Sequence, residues 1–198
     1  MKKNLVVFAL VITGLVMGGC AKVPQMEIDA VNVSIEKAKV AEADVYLPAE
    51  FAAVQDSMNA INAEVEAQKS KMFGSYKDVK VKLAALQVVA DELEGKSIAK
   101  KEEIKLEVNT IYAEMQTLLA ENNALLLKAP KGKEGKVVIE AIKGELTVIE
   151  ATMAEVPGLL ESGNLLGAQA KVKAVQEKAT AINAELLAVI EKYTQKRK

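Results

Sequence analysis

Few side chains in this chain are suited to chemistry. There is one thiol, Cys20, and no imidazole at all. A lone cysteine cannot close an intramolecular disulfide, and without histidine it has no neutral base to take its proton and no usual partner for a zinc ion. Carboxylates, lysines and hydroxyls are what remain. They are densest at Glu92, Glu94, Lys96, Lys100, Lys101, Glu102, Glu103, Lys105 and Glu107. On a helix, residues three and four apart are neighbours, so this run reads as a solvated face laced with weak ion pairs. Asn122 falls on an otherwise apolar seam, where a buried amide sets the register between helices. Met58, Met72, Met115 and Met153 fall on apolar seams too, and thioethers there fill core space. No catalytic residue, no metal ligand and no cofactor is expected.

Composition bounds the rest. Of 198 residues, 51% are hydrophobic and 27% charged, the balance of a chain that builds a core. Aromatics are only 4% and tryptophan is absent, so that core must come from Ala, Val, Leu and Ile, which suits thin helix interfaces. The 26 basic and 27 acidic side chains nearly cancel. No nucleic acid is an expected partner, because phosphate binding needs a basic surplus.

The first residues read as an address. Lys2 and Lys3 precede an apolar run from Leu5 to Val16, and Met17-Gly18-Gly19-Cys20 follows. These are the three regions of a secretory signal peptide in order. The apolar stretch falls short of the roughly 20 residues that span a bilayer, and two glycines close it. The segment resembles the lipobox of bacterial lipoproteins, with Met17 where that family usually has Leu. The resemblance implies cleavage between Gly19 and Cys20, a diacylglycerol on the Cys20 thiol and acylation of its new amino group. Two or three acyl chains make a stable anchor where one is marginal. Ala21 follows the cysteine, where an aspartate commonly signals inner-membrane retention in that family. The implied location is the cell envelope, on the periplasmic face of the outer membrane in a diderm host.

Past residues 1–19 the chain should be all-α. Pro24 is suited to open a helix because its missing N–H needs no partner there. A first helix is expected over about 24–43, with a seam of Ile28, Val31, Ile35 and Ala38. Pro48 opens a second, over 48–73, whose seam of Phe51, Val54, Met58, Ile61, Val65, Gln68 and Met72 steps alternately by 3 and 4. Gly74-Ser75 marks a hairpin. The third helix, 76–128, carries Tyr76, Val79, Leu83, Leu86, Ala90 and Leu93, then Ile104, Val108, Ile111, Met115, Leu118, Asn122 and Leu125. It would run roughly 80 Å unless Gly95 and Ser97 split it. The stretch 129–136, with Pro130, Gly132 and Gly135, reads as a loop. A C-terminal hairpin follows over 137–198, with helices at about 137–161 and 164–195. Ile139, Ile142, Leu146, Ile149, Met153, Val156 and Leu160 line the first. Ala168, Val172, Val175, Ala179, Ile182, Leu186, Val189 and Tyr193 line the second. Pro157-Gly158 should kink or fray the first near its end.

These lengths predict an elongated antiparallel bundle, two three-helix bundles sharing one long central helix over the region 20–128 and the C-terminal hairpin. The architecture resembles spectrin-type repeats. Laying Gly74 on Gly163 pairs Tyr76, Leu83, Leu86, Gln87, Ala90 and Leu93 with Leu165, Val172, Val175, Gln176, Ala179 and Ile182, as an internal duplication would.

Two further resemblances bear on function. The corner Tyr46-Leu47-Pro48-Ala49-Glu50-Phe51 and the loop Pro130-Lys131-Gly132-Lys133 resemble features of a family of all-helical bacterial envelope lipoproteins. That family's own activity is undefined, and it implies no site. Tyr193 and the final Arg197-Lys198 resemble the ending of murein lipoproteins, with Thr194-Gln195-Lys196 intervening, and imply peptidoglycan attachment through Lys198. A basic helix end that offsets the macrodipole accounts for the same residues.

The expected function is therefore a non-enzymatic, membrane-anchored scaffold, spacer or interaction protein of the envelope. Its partners would be the membrane through the lipid on Cys20, an envelope protein or peptidoglycan, and a second copy of the chain. The alternative is a periplasmic chaperone-like or ligand-binding helical module.

Overall fold

The computed structural model describes residues 22–130 and 133–195. The leader expected over residues 1–19, with Gly19 at its end, Cys20 and the terminal Lys198 lie outside the described residues. Among the described residues the chain is all-helical and has no strand. The helices are α1 (Gln25–Val40), α2 (Ala43–Tyr46), α3 (Pro48–Lys69), α4 (Lys77–Lys128), α5 (Lys133–Glu161) and α6 (Leu165–Gln195). Two compact units divide between Ala99 and Lys100.

In the first unit one apolar cluster gathers three seams. Ile28, Val31 and Ala38 come from α1; Phe51, Val54, Met58, Ile61 and Val65 come from α3. Tyr76, Val79, Leu83, Leu86, Ala90 and Leu93 supply the third seam. Ala38 and Ala90 are fully buried, and their small side chains let the helix backbones approach. Burying each larger side chain stabilises by about 1.5–3 kcal/mol, more than helix propensity alone supplies per residue. Pro24 is itself buried just ahead of α1, and its carbonyl accepts from the Ile28 N–H at 3.0 Å.

The joints differ in their physics. Between α1 and α2, Glu42 sits in the left-handed region at φ 64° and ends the helix. Between α2 and α3, Leu47 leaves the helical region, as a residue before proline must, and Pro48 takes the first position of α3. Between α3 and α4, Gly74 lies on the backbone of Gln68; a Cβ there would stand 2.3 Å from the Gln68 carbonyl oxygen.

In the second unit Ile104, Val108, Ile111, Met115 and Leu119 of α4 are buried with Ile142, Leu146, Ile149, Met153 and Val156 of α5. Leu165, Ala168, Val172, Val175, Ala179, Ile182 and Leu186 of α6 complete the set. The α5–α6 joint is a Schellman turn. Gly163 has φ 77°, the Asn164 N–H donates to the Leu159 carbonyl at 2.9 Å and the Gly163 N–H to Leu160 at 3.1 Å. Asn164 then caps α6 by accepting from the Gly167 N–H at 3.0 Å.

Several expectations need correction. The first helix stops at Val40 rather than near residue 43, because the Ser97 hydroxyl takes the Ala41 carbonyl at 2.7 Å and Glu42 turns the chain. The second stops at Lys69, and Met72, expected in the core, is 88% exposed. The close seat of Gly74 on Gln68 forces the chain out of the helix before Met72 can reach the seam. The α4 helix needs no such correction: it runs unbroken through Gly95, as one long helix, with Glu92 and Lys96 paired across it at 2.8 Å. Leu119 is buried where Leu118 was expected, and Leu118, Leu125, Ile139, Leu160 and Val189 are half-buried. Tyr193 is exposed. The α5 helix starts at Lys133, inside the expected loop, and continues past Pro157 to Glu161. Its last turn is exposed to solvent at Pro157 and Gly158.

Candidate functional site

Interior polar groups in both units fasten helices together. The Asn122 side chain is fully buried; its Nδ2 donates to the Ala179 carbonyl at 2.9 Å, and its Oδ1 accepts from Asn183 Nδ2 at 2.8 Å. Ser97 plays the matching part in the first unit through Ala41. Among the described residues no buried side-chain polar atom lacks a partner. These groups are therefore satisfied by the fold and present nothing to a substrate.

The ionisable groups are arranged along helix edges. Glu107 accepts from Lys173 Nζ at 2.6 Å and Gln169 Nε2 at 2.5 Å, and the ammonium of Lys173, then the amide of Gln169, holds its carboxyl below the ordinary value. Lys80 does the same for Glu27 at 2.7 Å. Lys171 pairs with Glu155, and Asn123 reaches Glu150. Among the described residues no group of three or more His, Cys, Asp or Glu side chains is placed to hold a metal ion. The run from Glu92 to Glu107 is a solvated edge, with Glu92–Lys96 and Lys100–Glu103 pairs.

Shallow grooves lie between neighbouring helices. One of about 580 Å³ separates α5 and α6, floored by Ala141, Gly144 and Ala181. Another of about 410 Å³ separates α3 and α4, with Ala60, Ile61, Ala85, Leu86 and Val89 in its walls. Glu64 and Lys82 pair across that second groove. Their size suits a small ligand, yet each is open to solvent, and the two charged side chains of the second are already paired with each other.

The turn joining α3 to α4 has a different character. Lys69, Lys71 and Lys77 flank Met72 and Phe73 along the chain, and both of those apolar side chains are 88% exposed. The turn is folded back on α3: the Lys71 N–H donates to the Gln68 carbonyl at 3.2 Å, and the Ser75 N–H to Gln68 Oε1 at 3.3 Å. Tyr76, next along, is buried and fixes its far side. The heptad count had absorbed Met72 into a helix seam and so hid this surface. The signal for it was the run Lys71-Met72-Phe73-Gly74, an apolar pair between a lysine and a turn glycine.

The chain matches no protein-family model, no curated protein and no solved structure. Among the described residues no helix is long and apolar enough to cross a membrane. Cys20 and Lys198, the two positions expected to carry covalent attachments, lie outside the described residues.

Proposed function

We propose that this chain is a lipid-anchored, non-enzymatic scaffold of a bacterial cell envelope, tethered through Cys20. The observation that carries the proposal is the placement of the only cysteine directly after a basic start, an apolar run and Met17-Gly18-Gly19. The described fold is compatible with that tether, since Pro24 is buried and the chain leaves the core at Val23 and Lys22. On this reading α4 is the common spine of two three-helix bundles, and interaction with other envelope components uses their helical faces. Ala21 favours the outer membrane, facing the periplasm.

Growth with a clickable fatty acid tests the anchor. The wild-type chain takes the label, its first peptide begins at Cys20 with acyl chains attached, and C20A stays unlabelled. A mature chain that retains Met1 and carries no fatty acid overturns the proposal. Attachment to peptidoglycan through Lys198 would leave the protein with the wall after boiling in detergent, and deletion of Lys198 would free it.

A second reading, a chaperone-like or ligand-binding module, draws on the apolar α3–α4 groove with Leu86 and Val89 in its wall. That module would suppress aggregation of an unfolded envelope protein, and V89E, at a groove residue exposed to solvent, would abolish the suppression while the fold persists.

A further inference from the structure

The turn between α3 and α4 leaves Met72 and Phe73 each 88% exposed, more than any other large apolar side chain among the described residues. Burying a Phe side chain is worth about 1.5–3 kcal/mol, and the neighbouring Tyr76 is buried. Solvent exposure of two adjacent large apolar groups on a turn tied down by Gln68 therefore requires a reason. The residues around them are cationic. From Lys69 to Lys77 there are three lysines and no acidic residue, and Lys71 and Lys77 enter no ion pair among the described residues. Lys69 is paired with Glu66 at 2.6 Å.

The position of the turn supplies the second observation. The helices α1 and α3 run in opposite directions, so the start of α1 lies at the end of the unit where α3 finishes. Lys80, one turn into α4, bonds Glu27 in the first turn of α1 at 2.7 Å. Exposed Lys22 and half-buried Val23 lie just before α1, and Val23 packs on the same core. Cys20 is two residues before Lys22, a span that chain geometry limits to about 7 Å. The opposite end of this unit is the corner at Ala41, held to Ser97, about 20 residues and roughly 30 Å farther along α4.

We propose that the turn over residues 70–76 is a second membrane contact. Met72 and Phe73 enter the interface of an anionic bilayer, and Lys22, Lys71 and Lys77 lie on its phosphate groups. The inference rests on the anchor reading for the nearness of lipid, but its chemistry is its own. Acyl chains at Cys20 hold the protein at the surface, and the turn fixes which end of the first unit faces it. Apolar side chains with flanking cations are the combination that binds an interface rather than a dry protein groove. Each lysine near an anionic surface is worth a factor of about five in binding.

The chain has no tryptophan, so F73W installs a unique fluorophore in the turn and Y46W one at the far corner. Each full-length variant is extracted with its lipid and reconstituted in vesicles of phosphatidylethanolamine and phosphatidylglycerol, with or without brominated acyl chains. The F73W indole should shift to the blue and be quenched by the brominated lipid, while the Y46W indole should not. In the F73W background, K71Q and K77Q should each lower the ratio of docked to undocked turn about fivefold. Equal emission from F73W with and without brominated lipid overturns the inference. So does quenching that is as strong in neutral phosphatidylcholine, or that appears only when other envelope proteins are added.

Mass spectrometry of the same samples separates the two proposals. Acylated Cys20 with an unquenched F73W indole leaves the anchor standing and removes the turn. Unmodified Cys20 with a quenched indole does the reverse. Unchanged far-UV circular dichroism in every variant excludes unfolding as the cause.

Discussion

The side-chain amide of Asn122 crosses from α4 to α6 and donates to the backbone carbonyl of Ala179 at 2.9 Å. That carbonyl already lies inside a helix, so the bond depends on α4 and α6 holding one axial register. Asn183, one turn beyond Ala179, returns a bond to the Asn122 oxygen at 2.8 Å. A slip of either helix by one residue would bury both polar groups without partners, at about 1–3 kcal/mol for each. N122A should therefore lower stability by about 1–2 kcal/mol, measured by urea unfolding. N122L should recover part of that loss through apolar contact while broadening amide resonances along α6, since nothing then selects the register.

Gly95 lies on the solvent side of α4, and a Cβ added there would meet no atom within 4 Å. Alanine at that position gains helix propensity with no steric cost. G95A should raise stability by about 0.5–1 kcal/mol and the melting temperature by a few degrees. A loss of stability would mean that α4 is not straight helix at this point.

Glu42 is the only non-glycine with positive φ among the described residues. An L side chain in that region costs about 1–2 kcal/mol. E42G relieves the strain, partly offset by the greater freedom of the unfolded chain, so a net gain of about 0.5–1 kcal/mol is expected. E42V should destabilise, because a branched Cβ tolerates that backbone least. Thermal melts of the two variants should move in opposite directions.

The fold was legible wherever the 3-and-4 spacing of apolar residues persisted. The α6 helix is expected over 164–195 and found at Leu165–Gln195, and Asn122 is buried on its seam as its spacing predicts. Breaks imposed by tertiary contact were not legible. Nothing in Ala41-Glu42-Ala43 marks a turn, since the hydroxyl that takes the freed carbonyl comes from Ser97, distant in the chain. The end of α3 was misplaced because Met72 kept the seam spacing, whereas Gly74 needed the room beside Gln68. At the start of α5, glycines at 132 and 135 suggest a loop reaching residue 136, whereas the helix begins at Lys133. Of the candidate membrane surface, the lysines were visible and the exposure of Phe73 was not. It depends on the turn rather than on residue type.

Glu27 and Glu107 carry carboxyls held below the ordinary glutamate value of 4.5 by Lys80 and Lys173 respectively. A depressed folded-state pKa stabilises the fold fully above the ordinary value, and that stabilisation is lost as pH falls through the depressed values. Both pairs are solvent-exposed, so the effect is small and salt screens it. NMR titration should show both side chains taking up protons at lower pH than glutamate in an unfolded peptide. E107Q should flatten the acid limb of stability against pH without altering the neutral plateau's cooperativity.

The described methionines divide sharply by surroundings. Met58, Met115 and Met153 are enclosed, whereas Met26 and Met72 are open to solvent. Peroxide or hypochlorite will therefore convert the outer two to sulfoxides first, leaving the core intact. At Met72 the added oxygen turns a greasy tip into a polar one. The turn that holds Phe73 thus carries its own oxidant-sensitive element, reversible by a sulfoxide reductase and independent of whether the helices stay folded.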